Sequence, residues 1–380
     1  MIDLWDIPVI DHHAHNLLTV EAAQDLPYVA AFTEGYEDED ILNHHARHSL
    51  FYHRSIRDIA QLLDCEPTEE AIISARQNLG LEKLTQTCLQ AAKLEALFLD
   101  DGSLQEEILP WSWHQQFIPT QKILRLEELA ENLLNQTSKF ETFLDLFLQA
   151  IDPPPPEVIA FKSIAAYRTG LDIQITPIDF AKSHFILLKK AANNSSTYLT
   201  DKPLIDFLIT EALQVAAKYK LPVQFHTGFG DPDLDLFVGN PVLLRPLLEE
   251  ESWRDAPIVL LHASYPYTRE AGYLASVYPQ VYLDFGLAVP FLSVMGMRST
   301  LRQLLELSPT TKLMYSSDAH NLPELYYLGA KWGREILRQV LEQSIEDADL
   351  TDSEADDIAR AMLCENARGL YLNFKSHKLD

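Results

Sequence analysis

The stretch "VIDHHAHN", residues 9–16, follows the first apolar run of the chain and contains three histidines. That run, residues 7–10, is short, rich in β-branched side chains and bounded by an aspartate, which predicts a buried strand. Because alternate side chains of a strand share a face, we expect His13 and His15 to point the same way and His12 to point the opposite way. Two neighbouring imidazoles at a strand end suit a divalent transition metal, although solvated histidines at a polar strand end would give the same motif.

The composition is that of a globular protein with a sizeable core. The 380 residues are 47% apolar and 23% charged, which allows one large α/β domain with an insertion or two domains. Acidic residues outnumber basic ones by 56 to 30, for a net charge of −26, which argues against a nucleic-acid partner or an anionic membrane partner. The three cysteines (Cys65, Cys88 and Cys364) are too few and too far apart for a disulfide framework. With no visible signal peptide and no run near the ~18 apolar residues of a membrane helix, we expect a cytoplasmic protein.

Short apolar segments alternate with helical periodicity along most of the chain. Residues 17–93 have helical spacing and almost no strand signal, which predicts a helical insertion after the first strand. The later strands are predicted in "LEALFLDDG" (94–102), "QKILRLE" (121–127), "VIAFKS" (158–163), "LPVQFHTG" (221–228), "APIVLLHAS" (256–264), "QVYLDFG" (280–286) and "TKLMYSSDAH" (311–320). This order predicts an α/β fold, a (β/α)8 TIM-type barrel that forms a single domain over residues 1–380. A doubly wound sheet is the alternative.

Reactive side chains recur where the predicted strands end. In a parallel barrel the C-terminal ends of all strands meet on one face, where active sites are found. Side chains at these ends should therefore converge on one site. They are His13, His15, Lys162, His226, His262 and Asp318.

These motifs resemble a known family. "DHHAH", "FKS", "QFHTG", "LLHAS" and "SSDAH" occur in the order seen in the amidohydrolase superfamily, in its amidohydrolase-2 branch. The longer stretches "FKSIAAYRTGL", "FHTGFGDPD", "HASYPYTREAGYLA" and "SDAHNLPELYYLG" resemble the amidohydrolase-like domain of FluG-type, nodulin/glutamine-synthetase-like fusion proteins. The resemblance implies a divalent metal, most often zinc, and four ligands: His13, His15, His226 and Asp318.

The resemblance also implies roles around the metal. Asp318 would be a ligand that takes a proton from the attacking water, and His262 would be a second base, a ligand or an oxyanion stabiliser. Lys162 would bridge two metals after carboxylation, anchor a substrate carboxylate, or be structural. The resemblance to this branch favours one ion, and two ions are the alternative. Arg168 suits a bidentate clamp on a substrate carboxylate, and a salt bridge holding its loop is the alternative. His226 and His262 as core histidines, and Asp318 as a turn cap, are the structural alternatives.

The predicted function is that of a metal-dependent hydrolase. A metal-bound hydroxide would attack a carbonyl carbon of a small carboxylated molecule, and the amide bond or a related C–N bond would be cleaved. A non-oxidative decarboxylase is one alternative, because fold and metal site do not fix the chemistry. A non-catalytic binding or scaffold barrel is the other. The barrel helices are also compatible with a homo-oligomer.

Overall fold

Eight parallel strands in the order β1 to β8 form the centre of the protein, which confirms the predicted (β/α)8 barrel. The computed structural model describes residues 3–102, 107–191 and 198–372. Backbone hydrogen bonds from Asp318 N to His13 O (3.1 Å) and from His15 N to Ala319 O (2.8 Å) connect the chain after β8 to β1. The strands are β1 Val9–His15, β2 Leu94–Asp100, β3 Thr120–Arg125, β4 Val158–Ser163, β5 Val223–Phe225, β6 Ile258–Leu260, β7 Val281–Asp284 and β8 Leu313–Met314.

Helices and helical turns lie between the strands. Those before β2 are α1 Val20–Asp25, α2 Glu39–His44, α3 Leu50–Leu63, α4 Glu69–Leu79 and α5 Leu81–Ala92. Those from β2 to β6 are α6 Trp111–His114, α7 Leu126–Gln136, α8 Phe140–Ile151, α9 Ala165–Arg168, α10 Ile178–Ala191, α11 Lys202–Tyr219 and α12 Arg245–Glu249. The remainder are α13 Thr268–Val277, α14 Ala288–Phe291, α15 Val294–Leu305, α16 Pro323–Glu346 and α17 Asp352–Arg360. Thr351 and Glu354 form a capping box at the start of α17.

Two apolar layers explain why the strands have nearly continuous apolar sequences. Every residue of β4 is buried, as expected for a parallel sheet covered on both faces. One cluster lies between strands and helices, and a smaller one fills the barrel interior with Ile10, Phe98 and Met314. Tyr371, in the helical turn Arg368–Leu372, belongs to the interior cluster and is fully buried. The chain's C-terminal helical turn therefore contributes to the core below the histidines of β1.

The first strand contains a bulge that changes the direction of one predicted side chain. Asp11 pairs with Leu97 but Ala14 pairs with Leu99, so β1 holds one extra residue against β2. His12 Nε2 consequently lies 3.5 Å from Asp284 Oδ2 of β7, across the barrel. The prediction that His12 points away from the barrel-facing His13 is wrong, because strict alternation fails where a strand has an extra residue.

The chain between β1 and β2 is mainly helical and contacts both the barrel's side and its mouth. Its last helix, α5, packs against α16, where Arg334 Nη1 donates to Ala92 O at 2.8 Å. Residues 34, 36 and 37 line the cavity at the C-terminal ends of the strands. The limits 17–93 for an insertion, and a single domain over 1–380, stay predictions.

Two further observations concern the described part of the chain. It contains no helix that is both long enough and apolar enough to span a membrane. Cys65, Cys88 and Cys364 are all free thiols. The cytoplasmic location stays a prediction.

Candidate metal centre and active site

A cavity of about 490 Å³ opens where the strands end. All six of the strand-end side chains predicted to converge lie in it or contact its lining. His15, Lys162, His226, His262 and Asp318 line it directly. The ring of His13 lies 5.2 Å from the ring of His15, measured between centroids.

Two histidines and one carboxylate form the centre of the site. His13 Nε2 lies 3.1 Å and His15 Nε2 lies 3.3 Å from the same oxygen, Asp318 Oδ1. One potential ligand atom from each of the three residues lies within 4.8 Å of the others. Within the described chain, no other group of three or more such side chains is this compact.

The donor set fits a divalent transition metal. Asp318 Oδ1 is buried and has no hydrogen-bond partner, and a buried oxygen of this kind is costly unless a cation or a donor satisfies it. Although burial opposes ionisation, His262, His13 and His15 hold the pKa of Asp318 well below its usual range. An ionised carboxylate beside two imidazoles is a ligand set that zinc and its neighbours accept.

Asp318 owes its position to a buried carboxylate on β1. Asp11 accepts hydrogen bonds from Ser317 N (2.9 Å) and Ser317 Oγ (2.5 Å), which fixes the chain just before Asp318. Asp318 itself has φ +54°, in the left-handed region that non-glycine residues rarely adopt. Such local strain is common at functional sites, where the surrounding structure imposes it.

His226 and His262 contact each other beside the centre, with their ring planes inclined by 55°, and are not part of the compact group. Their ring centroids are 4.4 Å apart. His226 Nε2 donates to Phe229 O at 3.1 Å, and burial lowers the pKa of both histidines well below the usual value. His262 Nδ1 is buried without a hydrogen-bond partner, 3.9 Å from Asp318 Oδ2. Both imidazoles are therefore neutral, and one nitrogen of His262 is free to interact with a ligand.

Lys162 lies directly beneath the centre. Its Nζ is 3.4 Å from His13 Nε2, and burial lowers its pKa to about 8, against the opposing charges of Asp100 and Asp318. Asp100 pairs with Arg125 rather than with Lys162, since its Oδ2 accepts a hydrogen bond from Arg125 Nη2 at 2.7 Å. Lys162 therefore has an appreciable neutral fraction near pH 8.

Arg168 forms the salt bridge that was the alternative to a substrate clamp, and the clamp stays a prediction. Its Nη2 lies 3.2 Å from Glu131 Oε1, and its guanidinium stacks 3.4 Å from the ring centroid of Tyr198. Its side chain is only 8% exposed, yet Nε and Nη1 have no hydrogen-bond partner although the residue lines the cavity. The salt bridge thus leaves two donors available.

Acidic side chains and one tyrosine form part of the wall, and of these the sequence pointed only to Asp231 and Asp233. Glu34, Tyr36 and Glu37 come from the chain between β1 and β2, and Asp231 and Asp233 from the loop after β5. The loop "GFGDPDLD" is typical of a solvated or lid-like segment. Because it directly follows the C-terminal end of a strand, its sequence position indicated that it lies at the barrel mouth. Glu34 had none, because nothing in its local sequence relates it to the barrel mouth.

Comparisons with known proteins agree with this geometry. The amidohydrolase-2 family model, described as "Amidohydrolase", matches residues 193–372. The chain is 33% identical to the protein FluG of Emericella nidulans over 402 aligned residues, which cover 96% of this chain and 45% of FluG. It thus spans less than half the length of that relative.

Two crystal structures share the architecture. A protein of Lactobacillus casei described as a metal-dependent hydrolase superposes with a TM-score of 0.85 at 28% identity, covering 99% of this chain and 98% of that one. Uronate isomerase of Thermotoga maritima gives a TM-score of 0.64 at 14% identity, covering 96% and 95%, and shares the fold alone. The chain therefore belongs to the amidohydrolase superfamily, in its amidohydrolase-2 branch, and is related to the FluG-type proteins.

Proposed function

We propose that this protein is a zinc-dependent amidohydrolase that cleaves an amide or a related C–N bond in a small carboxylated molecule. The observation that carries the proposal is the convergence of His13, His15 and Asp318 on one point of a cavity that also presents unpaired donors of Arg168. Family membership supports a hydrolase, and the bond and the substrate are our inference.

The ion would be held by His13, His15 and Asp318, with His226 completing the ligand set as the family resemblance implies. A divalent ion at such a site lowers the pKa of a water and polarises a carbonyl oxygen. One ion is expected, because the compact group contains three ligands, and a pair of ions bridged by a carboxylated Lys162 is the alternative.

The residues around the centre supply the proton transfers. Asp318 accepts a proton from the attacking water and passes it to the leaving nitrogen. The water oxygen forms a bond to the carbonyl carbon, the C–N bond breaks, and the products are a carboxylic acid and an amine. His262, whose Nδ1 lacks a partner, interacts with the carbonyl oxygen as it gains negative charge.

The cationic side of the cavity orients the substrate. Arg168 offers two unpaired donor nitrogens, Nε and Nη1, each of which can donate to a carboxylate oxygen. Lys162 lies deeper, beside His13, and is a second candidate for the same anion. Holding the substrate at one end converts attack on its carbonyl into an oriented, effectively unimolecular step.

Product analysis tests the proposal. The purified protein is loaded with zinc, its metal content is measured, and it is incubated with carboxylated amides and with carboxylated arenes and alkenes. Release of ammonia or an amine supports the amidohydrolase. Release of carbon dioxide would instead identify a decarboxylase, and zinc-free protein without turnover after metal addition would favour a scaffold barrel.

Cytoplasmic location and a homo-oligomeric state are separate proposals. Cell fractionation tests the first and sedimentation analysis the second. Neither outcome bears on the chemistry of the site.

A further inference from the structure

We propose that the substrate is a zwitterion: its carboxylate is bound by Arg168 and its ammonium group by Glu34 and Asp231, on the opposite charge pole of the cavity. The inference rests on the proposed function and names its substrate class. It starts from the acidic wall, which the hydrolysis itself does not use.

The acidic pole contains carboxylates without basic partners. In the described part of the chain, Glu34, Glu37, Asp231 and Asp233 line the cavity and none of them forms an ion pair with Lys, Arg or His. Asp231 Oδ1 is buried and has no hydrogen-bond partner, although the hydroxyl of Tyr36 donates to this carboxyl group. Partly buried carboxylates without a partner are costly, and a bound cation removes that cost.

Glu34 gives the same indication from a different segment. Burial, together with the negative charges of Asp318 and Asp231, raises its pKa to about 8. Tyr36, two residues later, has its pKa raised to about 12 by burial and then by Asp231 and other carboxylates. Burial and neighbouring carboxylates thus favour the protonated form of Glu34, and a bound ammonium group would favour its ionised form.

The cationic pole points independently to a ligand. The side chain of Arg168 is more than nine-tenths buried, lines the same cavity and keeps Nε and Nη1 unpaired. Its stacking on Tyr198 and its contact with Glu131 hold the guanidinium in place, so the unpaired donors Nε and Nη1 are preorganised for an anion. Because Arg168, Glu34 and Asp231 line one cavity, an anion at the first and a cation at the other two would belong to one molecule.

The two poles define the substrate class. The candidate metal ligands His15 and Asp318 line the same cavity as both poles, so the proposed substrate has its charged groups and its cleaved bond in one cavity. Dipeptides, and amino acids joined through a side-chain amide, have this pattern of ammonium, amide and carboxylate. Hydrolysis adds one water across the C–N bond and leaves both terminal charges unchanged.

Binding of matched peptides tests the inference without requiring turnover. The zinc-loaded full chain is titrated calorimetrically with α-, β- and γ-linked dipeptides, with their N-acetyl derivatives, which lack the ammonium, and with their C-terminal amides, which lack the carboxylate. For at least one linkage we expect the free dipeptide to bind about 30-fold more tightly than either derivative. If N-acetyl derivatives bind as well as free dipeptides, or if no dipeptide binds, the inference is wrong.

Variants locate the two poles. The double variant Glu34→Gln/Asp231→Asn should lose the preference for the ammonium and keep that for the carboxylate, whereas Arg168→Gln should do the reverse. Asp235→Asn, in the same loop but outside the cavity lining, is the matched control and should keep both preferences. If zwitterions bind but no amide is cleaved, the proposed function fails and the binding inference stands. If N-acetylated amides are cleaved as well as free ones, the inference fails and the function stands.

A second inference comes from a separate buried network. We infer that Gln224 and Tyr371 are positioning residues for His13. His13 Nδ1 donates to Gln224 Oε1 at 2.8 Å, which leaves the lone pair of Nε2 directed towards Asp318 Oδ1. Gln224 Nε2 in turn donates to His12 O and to the hydroxyl oxygen of Tyr371, both at 2.9 Å, and that hydroxyl is hydrogen-bonded to His12 Nδ1 at 3.1 Å.

The network fixes one tautomer of His13. Because the amide nitrogen of Gln224 is held by two acceptors, its oxygen must face His13, and a neutral imidazole that donates through Nδ1 offers Nε2 to a metal. Tyr371, from the C-terminal helical turn, therefore acts on the centre through Gln224 across a sequence separation of 147 residues.

Zinc affinity tests this inference. In a chelator competition assay, Gln224→Leu should bind zinc about 10- to 100-fold more weakly, and Gln224→Glu, which keeps an acceptor for His13, should restore most of the affinity. Gln280→Leu, at another buried glutamine that donates to Leu248 O, is the matched control and should bind zinc normally. Wild-type affinity in Gln224→Leu, or no recovery in Gln224→Glu, would refute the positioning role.

Discussion

A buried ion pair that fastens the chain between β1 and β2 to the barrel allows a quantitative test. Arg76, in the last turn of α4, pairs with Glu324, in the first turn of α16. The side chain of Glu324 is 0% exposed and that of Arg76 is 14% exposed, with its guanidinium 5.1 Å from the ring centroid of Tyr28. Replacing Arg76 by Ala leaves a carboxylate buried without its cation.

The expected loss follows from that burial. Removing one partner of a buried pair destabilises a protein by about 3–5 kcal/mol, whereas neutralising the remaining charge recovers part of the loss. We therefore expect Arg76→Ala to lower the free energy of unfolding by about 3–5 kcal/mol. The double variant Arg76→Ala/Glu324→Gln should be more stable than Arg76→Ala by roughly 1–3 kcal/mol, because no uncompensated charge is then buried.

Differential scanning calorimetry of the wild type, both single variants and the double variant gives the coupling energy. For a chain of this length the loss corresponds to a fall in melting temperature of roughly 4–6 °C, from an unfolding entropy of ~2.1 cal/mol/K per residue. Arg47→Ala, which breaks a pair whose arginine is 43% exposed, is the control and should cost less than about 1 kcal/mol. Surface substitutions usually change the free energy of unfolding by less than about 0.5 kcal/mol. An Arg76→Ala variant whose free energy of unfolding lies within that range of wild type would refute the reasoning. A double variant no more stable than Arg76→Ala would refute it too.

Three further predictions concern the site and its surroundings. His13→Ala and Asp318→Asn should each abolish metal-dependent turnover while the circular dichroism spectrum and cooperative unfolding persist, and wild-type turnover with metal bound would contradict the site assignment. Lys162→Ala should retain one zinc equivalent by elemental analysis, whereas two equivalents in the wild type, both lost in the variant, would identify a bridged pair. Burial lowers the pKa of His114 from 6.5 to about 4, so the unfolded chain binds more protons between these values and stability should fall as the pH drops through this window. Between pH 7 and pH 4 this group alone should lower the free energy of unfolding by roughly 3 kcal/mol. His114→Gln should therefore show a flatter dependence of melting temperature on pH. An unchanged dependence would contradict the prediction and would mean that His114 is protonated in the folded state.

The sequence alone was sufficient for the barrel and for the residues at its strand ends. Strands buried on both faces need continuous apolar runs, so each of the eight could be recognised locally, and a polar residue that ends such a run is visible beside it. Since parallel strands end on one face, local recognition of His13, Lys162 and Asp318 was also a prediction about where they meet.

Only the tertiary structure decided which of these side chains touch and which other residues support them. A single extra residue in β1 turned His12 into the barrel, and strand periodicity cannot reveal an insertion of that kind. Gln224 had no signal as a partner of His13, because a glutamine in an apolar strand acquires its role from a histidine 211 residues away.

The charge pattern of the cavity was equally invisible in the sequence. Glu34 reaches the barrel mouth because the helices before β2 pack against α16, and Arg168 keeps two donors free because Glu131 occupies only one of its nitrogens. Local sequence encodes burial and backbone preference, which act over a few residues. The pairing or isolation of a charge depends on every segment packed around it, so it exists only once the chain has folded.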